Sequence, residues 1–81
     1  MGLNSIQNPA KLRRIAALIG DEVEYAAARY FADQRELIVF GRATGAWVVN
    51  LRKNSAERYN DERKLAVYRD KDGRPCGVSY Q

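Results

Sequence analysis

The order of patterns along the chain predicts an α+β fold: two N-terminal helices, or one bent helix, packed on a small antiparallel sheet of two hairpins. Three observations predict it. Apolar residues recur at helical spacing in the N-terminal part of the chain. Short β-branched and aromatic runs take over from Glu36 onward. Glycine-containing turn sequences then separate those runs in pairs. Helices first and strands after is the α+β arrangement.

The first eight residues carry no periodic pattern and are expected to be a flexible N-terminus, with residues 9–81 forming one domain. Asn8-Pro9 opens the first helix, Asn as N-cap and Pro at the first helical position, where its missing N–H costs nothing. Leu12, Ile15, Ala16 and Ile19 form its buried stripe, and Lys11, Arg13 and Arg14 fall off it. Gly20 reads as a C-cap. Asp21 then starts a second helix with Glu24 three residues on and Val23, Ala26, Ala27, Tyr30 and Phe31 as its apolar face. In the rival reading, Leu12, Ala16, Ile19, Val23, Ala26 and Tyr30 are one heptad seam on a single long helix. That seam predicts a homodimer through Leu12, Ile19, Val23 and Tyr30.

Leu37-Ile38-Val39-Phe40 and Ala46-Trp47-Val48-Val49, separated by Gly41 to Gly45, predict a first hairpin. The charged stretch from Lys53 to Lys64 is either a solvated helix started by Ser55 or a long loop. Leu65 to Tyr68 and Gly77 to Tyr80, on either side of Asp70-Lys71-Asp72-Gly73, predict the second hairpin.

Composition excludes more than it identifies. The chain has 81 residues and no histidine, which removes Ser-His-Asp triads, Cys–His pairs, zincin helices and His-based acid–base catalysis. A single cysteine, Cys76, rules out a disulfide framework and an intrachain zinc site, and points to a reducing compartment. The first residues lack the basic and apolar regions of a signal peptide, and the longest apolar run is Ile15 to Ile19. A cytoplasmic location without membrane insertion is therefore expected. Neither a cofactor nor a metal is called for, and no catalytic residue stands out.

Charge is segregated. Residues 1–34 carry Lys11, Arg13, Arg14 and Arg29 against Asp21, Glu22, Glu24 and Asp33, so the whole net charge of +4 lies in residues 35–81. Ten of the fourteen bases are arginine, whose planar fork suits phosphate. Around the first hairpin and beyond it, bases and aromatics interleave: Arg42, Trp47, Arg52, Lys53, Arg58, Tyr59, Arg63 and Lys64. Such a surface is expected to hold DNA or RNA by phosphate contact, with Trp47 or Tyr59 stacking on bases. The alternative partner is a protein. Arg and the five tyrosines, Tyr25, Tyr30, Tyr59, Tyr68 and Tyr80, are also hot-spot residues, as in the small inhibitors and adaptors that phages and mobile elements encode.

Smaller signals have plainer readings. Asp70 to Gly73 lacks the third ligand and the distal Glu of a calcium loop and reads as a turn. Gly41 to Gly45 lacks the Lys-Ser/Thr of a phosphate loop. The acids at 21–24 suit a helix start, and Cys76 reads as a small buried apolar residue.

Overall fold

The fold is taken from a computed structural model, which describes residues 4–31, 34–59 and 65–80. The chain order is β1 (Asn4–Ser5), α1 (Pro9–Ile19), β2 (Val23–Phe31), β3 (Gln34–Gly41), β4 (Gly45–Asn50), β5 (Ser55–Arg58), β6 (Leu65–Arg69) and β7 (Pro75–Tyr80). β2 to β5 form an antiparallel meander, extended at β2 by the two-residue β1; β6 and β7 form a separate two-stranded sheet.

Leu37, Ile38, Val39 and Phe40 on β3 are 1%, 0%, 0% and 8% exposed. Four consecutive buried residues on a strand require cover on both faces. On one face, Leu37 and Val39 join Ala26, Ala28 and Val49 beneath Ile15 and Ile19 of α1. On the other, Ile38, Phe40 and Ala46 meet Val78 of the second sheet, with Tyr25, Val48, Tyr59 and Val67 around them. The molecule is thus three layers: helix, five-stranded sheet, hairpin.

The helix begins and ends where its caps dictate. Asn8 Oδ1 accepts from Ala10 N and Lys11 N at 2.9 and 3.2 Å. Gly20, at φ 67° and ψ 32°, donates its N–H to the Ala16 carbonyl, a left-handed cap that only glycine adopts without strain.

Beyond Gly20 the chain departs from the helix that its pattern predicts. Residues 23–31 are strand β2, so there is neither a second helix nor a bent one, and the seam over Leu12, Ile19, Val23 and Tyr30 has no helix to run along. Ile19 lies inside the monomer. Ala26, Ala27 and Ala28 favour helix intrinsically, yet all three are buried. Alternation sends Ala26 and Ala28 toward α1 and Ala27 the other way; side chains this small let both outer layers approach β2. Packing has overridden propensity. A bulge between Val23 and Tyr25 lets Val23 pack on the helix side and Tyr25 on the hairpin side, leaving Glu24 in solvent.

The single sheet of two hairpins is also corrected. The first hairpin, β3–β4, forms with Gly41 opposite Gly45, but the second does not join its sheet. Instead Ser55–Arg58, expected as helix or loop, adds to β4 as edge strand β5. Its sequence has no strand signal of its own, and the exposed Glu57 and Arg58 suit an edge. The second hairpin lies across the sheet, and its turn is as expected, but Cys76 on β7, expected to be buried, is exposed. Asp70 Oδ1 accepts from Asp72 N and Arg74 N at 2.9 and 3.0 Å, and Gly73 has φ 80°.

Ile15 is the test of the helix layer. Ile15→Ala should lower unfolding free energy by about 2–5 kcal/mol in urea titration, whereas Ala17→Ser on the exposed face of α1 should change it little.

Candidate functional site

The residues singled out by charge and aromaticity do not form one patch. β4 is six residues long, so at about 3.3 Å per residue the β3–β4 loop and the β4–β5 turn stand roughly 17 Å apart. Arg42 is at the first; Arg52 and Lys53 are at the second. Arg63 and Lys64 lie outside the described residues.

At the β3–β4 loop the fold engages the loop backbone and Trp47, while Arg42 stays exposed in a surface pair with Glu22. The Asp21 carboxylate, expected as a helix cap, fastens this loop instead. Its Oδ2 accepts from Ala43 N, Thr44 N and Thr44 Oγ1 at 2.9, 2.9 and 2.8 Å, and its Oδ1 from Glu22 N at 2.7 Å. Thr44 Oγ1 in turn accepts from the Trp47 indole N–H at 2.7 Å. A Cβ at Gly41 would come within 2.5 Å of both Asp21 Oδ2 and Thr44 Oγ1, so the clasp requires glycine there. The Thr44 hydroxyl, with the backbone N–H groups of Ala43, Thr44 and Glu22, holds the Asp21 carboxyl below its usual range against the opposing effect of desolvation.

Trp47 is half-buried against the helix-side core, and the Arg58 guanidinium lies 5.2 Å from its ring centroid. This cation–π contact is worth about 0.5–1 kcal/mol at an exposed position. Tyr59 packs into the opposite core, and its N–H donates to the Ala46 carbonyl. Arg42 Nη1 donates to Glu22 Oε2 at 3.0 Å, and the Glu22 carboxylate raises the Arg42 pKa.

The β4–β5 turn is different. Asn50 Oδ1 accepts from Arg52 N and Lys53 N at 3.0 and 3.2 Å, which orders the turn. Arg14 reaches across from α1, and its Nη2 donates to the Leu51 carbonyl at 2.6 Å and to Asn54 Oδ1. The guanidinium of Arg14 therefore sits in the turn that carries Arg52 and Lys53. All three side chains are exposed, and the acceptors of Arg14 are uncharged. Sequence reasoning placed Arg14 off the helix stripe but not here, because the bond spans 37 residues and no local pattern records it.

Two further surface features lie away from this turn. On the outer face of the β6–β7 hairpin Tyr68, 57% exposed, lies over Gly77 and shares a 3.3 Å hydrogen bond with Ser79. An open cleft of about 680 Å³ between α1, the start of β2 and the β6–β7 turn is lined by Arg13, Arg42 and Arg74 and by Glu22, Glu24 and Asp72, which balance in charge. Among the described residues no three His, Cys, Asp or Glu side chains gather as metal ligands, and no helix is long and apolar enough to cross a membrane. Comparison with protein-family models, curated proteins and solved structures finds no match to this chain.

The clasp yields two expectations. Thr44→Val and Gly41→Ala should each lower Tm and shift the emission of Trp47, the one tryptophan, as its N–H loses its acceptor. Because the folded Asp21 pKa is depressed, its stabilisation is present above roughly pH 4, the unfolded value, and is lost as pH falls through the lower folded value. Asp21→Asn should therefore be less stable than the parent at neutral pH and show a shallower loss of Tm on acidification.

Proposed function

We propose that this chain is a small, non-catalytic binding protein that contacts nucleic acid through the end of the molecule formed by Arg14, Arg52 and Lys53. One observation carries the reading: three cations from two distant segments converge on an ordered turn whose described acceptors are uncharged. Without a polyanion, such a cluster only repels itself; against phosphates each cation releases a counterion. Of the residues expected from charge and aromaticity, Arg52 and Lys53 belong to this site and Arg14 joins them, while Trp47 and Tyr59 pack against the cores and Arg42 stands at the other end of β4.

A second reading rests on a different observation. Tyr68 is the one exposed large hydrophobic among the described residues; it lies over Gly77 and shares a hydrogen bond with Ser79 on the outer face of the hairpin. An exposed tyrosine so positioned suits docking on a protein, in the manner of an inhibitor or adaptor.

Fluorescence anisotropy with labelled nucleic acid separates the two. Replacing Arg52 and Lys53 together by Glu should abolish binding to every sequence alike, each lost contact lowering the salt slope by about one. Arg42→Glu and Tyr68→Ala should leave binding nearly unchanged. If Tyr68→Ala instead abolishes a salt-tolerant complex with a protein from the native host, the second reading replaces the first.

A further inference from the structure

We propose that the open cleft at the clasp end of the molecule is a binding site separate from the β4–β5 turn, and that its ligand is a short zwitterionic peptide. The cleft spans about 680 Å³ between α1, the start of β2 and the β6–β7 turn, a size typical of ligand pockets. At about 30 Å³ per water it has room for roughly twenty of them, enough for a di- or tripeptide and more than one amino acid fills. Its walls are ordered from behind. Arg42 N donates to the Glu22 carbonyl at 2.9 Å beside the Asp21 clasp, Gly20 closes α1, and Asp70 holds the β6–β7 turn through the N–H groups of Asp72 and Arg74. A cleft formed before its ligand arrives avoids much of the ordering cost of binding.

Charge decides the ligand class. Arg42 and Glu22 neutralise one another in a 3.0 Å pair. The other four charged side chains of the lining, Arg13, Glu24, Asp72 and Arg74, are exposed and make no ion pair or side-chain hydrogen bond with any described residue. Their signs differ from wall to wall. α1 brings Arg13 alone, the β2 rim with its Arg42 pair carries Glu24 in excess, and the β6–β7 turn adds one charge of each sign. A polyanion in this cleft would meet Glu24 and Asp72, and a polycation would meet Arg13 and Arg74; each is disfavoured by like charge. A ligand with one charge of each sign at separate ends satisfies both walls, its carboxylate on the Arg13 guanidinium and its ammonium on Glu24. Between them Leu12, Ala16 and Val23 are half-buried and give the cleft an apolar floor for an aliphatic body. In a single amino acid the two charges share one carbon, whereas in an extended di- or tripeptide they stand roughly 7–10 Å apart and can face different walls.

The test is a nuclear magnetic resonance titration of the intact, isotopically labelled chain with trialanine. The expected result is saturable shifts of the Val23, Glu24, Gly73 and Arg74 amides, with a Kd of about 1 mM or tighter. N-acetylation and C-terminal amidation of the peptide should each weaken binding about tenfold. Arg13→Gln and Glu24→Gln, at exposed positions, should do the same while leaving the rest of the spectrum in place. In Arg13→Gln, amidation should have little further effect, because the carboxylate has already lost its partner. Replacing Arg52 and Lys53 together by Glu should leave trialanine binding unchanged, so the result is independent of the nucleic-acid reading. Absence of shifts up to about 10 mM peptide, or shifts confined to the β4–β5 turn, overturns the site. Equal or tighter binding of any blocked form overturns the zwitterionic ligand.

Discussion

The fold depends on a central strand that must be covered twice. Leu37 to Phe40 on β3 present apolar side chains alternately to both faces of the sheet, and each buried side chain of this size contributes about 1.5–3 kcal/mol only if water is excluded from it. One helix covers one face. The chain has a single described helix, so the other face falls to the β6–β7 hairpin, which lies across the sheet. An 81-residue chain has little apolar surface to spare, and two thin layers around one sheet bury what it has.

Close approach of the layers explains the residues that looked most helical. Alanines at 26, 27 and 28 keep β2 thin on both faces, and the left-handed Gly20 turns the chain out of α1 directly into that strand. The junction is then locked by a carboxylate. Asp21 gathers the β3–β4 loop onto the α1–β2 connection, and through the Thr44 hydroxyl it reaches the indole of Trp47. A hydrogen-bond chain of this kind orients a large aromatic that packing alone would leave free to rotate.

These demands decide what remains for function. The aromatic groups that suggested base stacking are taken up by the core and by the clasp, and Arg42 is drawn toward Glu22. Among the exposed cations, Arg52 and Lys53 stand on the β4–β5 turn at the far end of the sheet, where α1 adds Arg14.

Much was legible locally. The N-cap at Asn8, the C-cap at Gly20, the β3–β4 hairpin and the Asp70–Gly73 turn follow from short-range stereochemistry, and the structure places each where the residues imply. Arg52 and Lys53 were readable as exposed bases because turns are polar and solvated. Residues 23–31 and 55–58 were not, because an alanine run and a charged tetrapeptide become strands only when a neighbouring strand supplies their hydrogen bonds. The split of the expected patch was equally hidden: charge along a sequence says nothing about which end of a strand a residue occupies. By itself, then, the sequence determined caps, turns, the apolar central strand and the sign and amount of charge, all of which are local properties. Only the tertiary structure decided that the sheets are separate, that Asp21 clasps a loop and that Arg14 joins Arg52 and Lys53, because each of these is a contact between residues far apart in the chain.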